Sequence, residues 1–286
     1  MKKYFHLFRV KHWIKNLFVF VPLIFSRHLV DAAYFKTAAL AFLAFALTSS
    51  MVYVFNDIFD VENDRKHPHK KERPIASGEI SPTLAWMVFF ILLTAITSFS
   101  FQFNSEFRYV LLSYGILNIL YSTILKKIVI VDVLCVASGF MLRVLGGAFV
   151  INVNVSSWLI LTTLFVSLFL AIMKRKSESQ LIQNSDETRS VLLDYTNEFI
   201  NQIAAISAAG VIICYALYTM ADRTINYFGT EQLVFTSIFV IFGVFRYMFL
   251  TYNKRKGENA IEDIITDKPM IINAFLYIAS VILIIY

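Results

Sequence analysis

The chain has 286 residues, 58% of them hydrophobic and only 16% charged, with a mean hydropathy of +0.64 and a formal net charge of +6. Soluble globular domains are about one-quarter charged, so this balance excludes that class and points to a chain that crosses a membrane several times. The positive excess reads as orientation in the bilayer and affinity for anionic phosphate, and nucleic acid is not an expected partner.

Apolar runs recur at 17–30, 37–55, 83–103, 109–125, 128–151, 157–173, 199–221, 233–251 and 270–286. Most are near the length of a spanning helix, so the expected fold is all-α: a polytopic membrane protein of nine transmembrane helices. The first run is short and carries Pro22, which predicts a tilted or broken span. One integral membrane domain over 1–286 is expected, with no soluble domain, linker, low-complexity tract or cleavable signal peptide. Cys135 and Cys214 fall inside apolar runs as ordinary buried thiols, suggesting neither a disulfide nor a metal site. The basic residues gather at the N-terminus and in alternate loops: 65–73, 126–127, 174–189 and 254–268. The other loops keep only Arg27, Lys36, Arg108 and Arg223. By the positive-inside rule the N-terminus and the loops at 57–81 and 174–198 face the cytoplasm, as expected for a multi-pass protein of the inner (plasma) membrane.

The N-terminal segment reads Arg9-Val-Lys11-His-Trp13-Ile-Lys15-Asn16. Trp13 and the basic residues suit the inner membrane interface; Lys15-Asn16, at the mouth of a helix, is equally placed to reach a phosphate.

The second span runs directly into Asn56-Asp57-Ile-Phe-Asp60-Val-Glu-Asn-Asp64. Continued as a helix at about 100° per residue, Asp57, Asp60 and Asp64 fall within roughly 60° of one another. Asn56 lies at the margin of that face. Three stacked carboxylates repel where the dielectric is low, so something positive must hold them. Oxygen-only ligands of this kind suit Mg²⁺, which commonly bridges a few acids to substrate phosphates. The bland alternative is a solvated helix end.

A cytoplasmic loop follows, in which Pro68, Pro74 and Gly78 forbid a long helix. It places Lys70 and Arg73 beside the acidic face, which suits a diphosphate held by metal on one side and by cations on the other. His67 and His69 form a weak metal-pair pattern with no further ligand nearby.

The fifth span carries Asp132 near its inner end and Arg143 well inside it. Eleven residues return to nearly the same helix face, and a charge that deep marks a functional site unless it is paired, here with Asp132 through water. Gly146-Gly147 permit close helix contact. Arg246, nearer the inner end of the eighth span, needs only to snorkel. The sixth span ends in Lys174-Arg175-Lys176-Ser177-Glu178, and the polar stretch up to Glu198 suits an amphipathic helix lying on the membrane.

These residues together resemble the UbiA superfamily of intramembrane prenyltransferases. Asn56-Asp57-x-x-Asp60-x-x-x-Asp64, followed by Arg73-Pro74-Ile75 and Gly78, looks like that family's first aspartate-rich motif and its loop. The resemblance implies Mg²⁺ on Asp57, Asp60 and Asp64, a bound diphosphate, and nine helices around a central cavity open to lipid. Ordinary members carry a second Asp-x-x-x-Asp motif after the sixth span, where this chain has Lys174-Arg175-Lys176-Ser177-Glu178. Trp13-x-Lys15-Asn16, Asp64-Arg65-x-His67-Pro68-x-Lys70, Arg143 with Gly146-Gly147, and Lys174-Arg175 with Glu178 look more like one branch, the polyprenyl-phosphate phosphoribosyltransferases. That branch implies phosphoribosyl pyrophosphate and a polyprenyl phosphate as substrates, in the making of lipid-linked arabinose precursors of the cell wall. The substrate-binding set it implies is Lys15, Asn16, Asn56, Lys70, Arg73, Arg143, Lys174, Arg175 and Glu178, with Asp57, Asp60 and Asp64 catalytic. A conventional prenyltransferase acting on an aromatic acceptor is the first alternative and a lipid flippase or transporter the second; homo-oligomer formation stays open. Against the transporter, no internal repeat is visible and the acids cluster at one membrane face.

Overall fold

The structure, a computed structural model, describes residues 2–66, 70–182, 194–254, 263 and 266–286. The described residues are helical with turns, and no strand occurs among them. The chain divides into two compact units, Met1–Asn154 and Val155–Tyr286.

The first unit opens with α1 (Lys2–Leu7), an eleven-residue 3-10 segment (Val10–Phe20) and α2 (Val21–Phe25). There follow α3 (Ala32–Phe59), α4 (Val61–Lys66), α5 (Pro82–Ser100), α6 (Ser105–Thr123) and α7 (Val131–Val150). Side-chain caps set the helix starts. Asp31 accepts from the amides of Ala33 and Tyr34, Ser81 from Leu84 just before Pro82, and Asn104 from Phe107. Each supplies the missing acceptor for an orphan first-turn N–H.

α3 lies against the 3-10 segment, α5, α6 and α7. Its buried positions include Ala38, Ala41, Ala44, Phe45, Thr48, Ser49 and Val52, mostly small residues that let other backbones come close. Phe45 meets Phe107 and Tyr114 edge-on. The closest approach is at Gly147, where an added Cβ would stand 2.0 Å from the carbonyl oxygen of Val19. Only glycine allows the 3-10 segment to rest there.

The second unit holds α8 (Ser157–Ile182), α9 (Asn197–Met220), α10 (Asp222–Phe228), a 3-10 turn (Gln232–Thr236), α11 (Ser237–Lys254) and α12 (Lys268–Ile285). α8 packs along α9, and Phe165 lies where a Cβ on Gly210 would stand, 2.4 Å away. α8 runs unbroken through Lys174–Glu178. Arg246 does not simply snorkel: it makes a fork to Asp267 at 3.0 and 2.9 Å, while Asp267 also caps α12.

Among the described residues, seven stretches are long and apolar enough to span a membrane: α3, α5, α7, α9, α12, Ser157–Ser179 and Gln232–Asn253. Outward-facing Phe90, Ile91 and Phe275 are what lipid contact requires, and the protein is a multi-pass membrane protein. These seven match seven of the nine apolar runs, so the count of nine is not confirmed. The run at 17–30 is divided between the 3-10 segment and α2, with Pro22 in the first turn of α2. The run at 109–125 is helical, as α6, but Ser113, Asn118 and Ser122 make it more polar. The histidine pair at 67 and 69, most of the amphipathic stretch before Glu198, and most of the last basic loop lie outside the described residues.

Candidate active site

The acidic stretch forms a helix with one break. Asp60 ends α3 with φ −94° and ψ 6°, yet its amide still reaches the Asn56 carbonyl at 2.9 Å, and the Asp64 amide reaches the Asp60 carbonyl at 2.8 Å. The helical hydrogen bonding therefore continues into α4. Each carboxylate meets a cation. Asp57, 2% exposed, pairs with Arg9 and with Arg73 Nη1 at 3.2 Å. The same Arg73 nitrogen stands 2.6 Å from Asp64, itself buried. Asp60 turns instead to Lys126, whose Nζ lies 2.7 and 2.8 Å from its two oxygens. Removing one member of such a buried pair strands the other charge, so these contacts fix one another.

The loop that delivers Arg73 is anchored by apolar burial. Ile75 and Ile80 are fully enclosed, the Ile80 amide reaches the Pro74 carbonyl at 2.9 Å, and Gly78 turns the chain at φ +84°. Lys70 is half-buried at the head of this loop and its carbonyl accepts from the Arg73 amide at 2.9 Å. Arg9 lies in the left-handed region at φ 47°, where α1 ends and the 3-10 segment begins, and its guanidinium stacks on Tyr53 at 4.6 Å.

A second polar group lies two helical turns back along α3. Arg143, buried in α7, donates to Asn16 Oδ1 at 2.7 Å, to the Gly139 carbonyl at 2.8 Å and to the Tyr114 hydroxyl at 2.7 Å. Ser49 joins Tyr114 at 3.1 Å and Asn16 at 3.3 Å. Among the described residues Arg143 has no carboxylate partner, and its direct contacts do not include Asp132. Lys15, beside Asn16 in sequence, has its pKa lowered to about 8 by burial and by the charges of Arg143 and Arg9.

In the second unit, Arg175 and Glu178 form an ion pair, Lys174 approaches Glu178 at 3.8 Å, and buried Lys176 meets Asn201 and the face of Tyr252.

The structure thus brings together Asp57, Asp64 and Arg73; Lys15, Asn16 and Arg143; and Lys174, Arg175 and Glu178. Asn56 contributes its carbonyl to the helix. Arg9, Lys126, Ser49 and Tyr114 escaped the sequence reading as site residues. Arg9 and Lys126 entered it only as topology signals, although that rule places both at the membrane face of the acids. Ser49 sits in the one polar patch of an apolar span, Thr48-Ser49-Ser50.

The donor chemistry fits a hard cation: Asp57 and Asp64 are carboxylates converging on one guanidinium nitrogen, a seat that a divalent ion suits equally. Among the described residues, no three His, Cys, Asp or Glu stand together as a ready metal site.

Fold and site define a helical membrane protein with an ion-paired acidic helix end and a separate buried arginine. The model of the UbiA prenyltransferase family matches residues 18–182, and the chain belongs to that family, whose members are transferases. It is 33% identical over 223 residues to the decaprenyl-phosphate phosphoribosyltransferase of Mycolicibacterium smegmatis, covering 76% of this chain and 70% of that one. The Mycobacterium tuberculosis protein of the same name is 29% identical over 281 residues, covering 96% and 91%. Among solved structures, a UbiA homolog from Archaeoglobus fulgidus bound to GPP and Mg²⁺ superposes with a TM-score of 0.77 at 21% identity, covering 99% of both chains. At that identity the likeness concerns the fold.

Proposed function

We propose that the protein transfers 5-phosphoribose from phosphoribosyl pyrophosphate to a polyprenyl phosphate, releasing pyrophosphate, in the synthesis of a lipid-linked cell-wall precursor. The observation that carries this reading is the division of charge in the first unit. Acids and cations pair at one place, whereas Arg143 has only neutral acceptors at another. One place suits a diphosphate that arrives with a metal; the other suits a bare phosphate. The names of the relatives and the basic Lys174-Arg175-Lys176 stretch, where a second acidic motif would serve a prenyl diphosphate, support the same choice.

In this reading the C1–O bond to pyrophosphate breaks, pyrophosphate keeps the electron pair, and a lipid phosphate oxygen forms the new bond to C1 with inversion. That oxygen is already anionic near neutral pH, so no general base is needed. Asp57, Asp60 and Asp64 would hold Mg²⁺, which would neutralise charge on the leaving pyrophosphate. Arg9, Arg73 and Lys126, released from the acids, turn to the diphosphate oxygens together with Lys70. Asn56 borders that site. Lys15, Asn16 and Arg143 receive a phosphate, and Lys174, Arg175 and Glu178 form a further basic cluster for the lipid phosphate. The acidic helix end faces the cytoplasm of the inner membrane, where a sugar phosphate is available, within one integral membrane domain.

A continuous pyrophosphate-release assay on purified enzyme tests this. Release should require both phosphoribosyl pyrophosphate and a polyprenyl phosphate, and should need Mg²⁺. Release from a prenyl diphosphate with an aromatic acid would favour the conventional prenyltransferase reading instead.

A further inference from the structure

The Asn16 amide is wholly buried, and its orientation is determined by chemistry. Arg143 Nε is a donor only, so the Asn16 atom 2.7 Å from it is the oxygen. Ser49 Oγ approaches that same oxygen at 3.3 Å. The amide NH₂ is therefore turned the other way, where among the described residues it has no hydrogen-bond partner. A buried donor left unmatched lowers stability, and native folds rarely keep one without a use for it.

What holds the amide this way is a short chain of groups. The Tyr114 hydroxyl accepts from Arg143 Nη2 at 2.7 Å and meets Ser49 Oγ at 3.1 Å, and the single Ser49 proton is shared between the Phe45 carbonyl at 2.7 Å and Asn16 Oδ1 at 3.3 Å. The Tyr114 ring lies 4.6 Å from the guanidinium. A guanidinium has five N–H donors, and the three bonds here leave donors over. A fixed NH₂ beside a buried, uncompensated positive charge asks for an anionic oxygen.

Resting on the reading of the site as a phosphoribosyltransferase, we propose that Ser49 and Tyr114 are positioning residues that hold the Asn16 amide, backed by Arg143, as an oriented donor for one phosphate monoester. Two sources share that chemistry: the 5-phosphate of the sugar and the phosphate of the lipid.

The test is equilibrium binding by the full-length enzyme in lipid nanodiscs, with ribose 5-phosphate, a short-chain polyprenyl phosphate and inorganic pyrophosphate as separate probes. Asn16→Asp keeps the shape and the Arg143 contact but replaces the donor with an acceptor. Tyr114→Phe keeps the ring and removes the hydroxyl, and Ser49→Ala removes one oxygen with the smallest change in packing. Asn16→Asp should weaken one of the two monoesters by about tenfold or more, and the positioning variants by about three- to tenfold, with pyrophosphate within about twofold. In turnover, the loss in Tyr114→Phe should fall on the KM of that same substrate more than on kcat. The probe that moves identifies the source. Unchanged binding of both monoesters to Asn16→Asp would overturn the proposal, and so would equal weakening of all three probes in Ser49→Ala and Tyr114→Phe. Because binding is read without transfer, a wild-type enzyme that moves no pentose yet binds a monoester through Asn16 refutes the proposed function and leaves this inference standing.

Discussion

Replacing Arg73 with methionine keeps the aliphatic stem but removes a cation that lies 3.2 Å from Asp57 and 2.6 Å from Asp64. Asp57 retains Arg9, whereas Asp64, only 4% exposed, loses its one ion-pair partner among the described residues. Stranding a buried charge costs about 3–5 kcal/mol. Arg73 is itself 25% exposed, so solvent screening brings the expected loss down to about 2–3 kcal/mol. Asp64→Asn alone should cost less, because a neutral amide needs no counter-charge. In the double variant the two losses should not add; the coupling should reach about 2 kcal/mol. Reversible unfolding in mixed micelles, run on the four members of the cycle, measures it. Losses that add to within about 0.5 kcal/mol would refute the claim that Arg73 is what holds Asp64.

Three further outcomes are expected. Lys15 titrates near 8, below its ordinary 10.5, so above pH 8 the folded protein sheds a proton that the unfolded chain still holds. Stability contributed by this group should therefore rise from about pH 8 to 10.5, while the KM for the phosphate substrate climbs over the same range; Lys15→Arg should remove the KM rise. Gly147→Ala forces a methyl group against the Val19 carbonyl, which should cost about 1–3 kcal/mol in thermal unfolding or displace the 3-10 segment, and a variant as stable and active as wild type would contradict the close approach. With Cys135 and Cys214 replaced, a cysteine at Ser77 should resist an impermeant thiol reagent in intact cells and react after permeabilisation; labelling from outside would reverse the orientation.

Much of this architecture was legible because the membrane imposes a simple rule: apolar runs of sufficient length become helices, and among the described residues seven of the nine runs are helices long and apolar enough to span. The two exceptions share a cause in local composition, Pro22 in one and Ser113, Asn118 and Ser122 in the other. The meeting of Asp57 with Asp64 was legible because helical hydrogen bonding continues through Asp60 despite the break there, whereas Asp60 itself turns to Lys126. What helical spacing could not reveal was tertiary pairing. Arg9 and Lys126 lie 48 and 66 residues from the acids they meet, and nothing local marks them apart from other basic residues at that membrane face. Arg143 was visible as a deep charge, but its direct partners are Tyr114, Asn16 and a backbone carbonyl, and neutral partners leave no charge pattern to read.

The central claim is the identity of the donor. The decisive measurement gives purified enzyme, with Mg²⁺ and a polyprenyl phosphate, either phosphoribosyl pyrophosphate labelled in the ribose or a labelled prenyl diphosphate with an aromatic acid. It then follows the label into the lipid fraction, with Asp57→Asn in parallel. The account predicts ribose label in a lipid-linked product, none from the prenyl donor, and loss of transfer in Asp57→Asn although that protein still inserts in the membrane. Prenyl transfer to the aromatic acid with phosphoribosyl pyrophosphate ignored, or undiminished ribose transfer by Asp57→Asn, would contradict it.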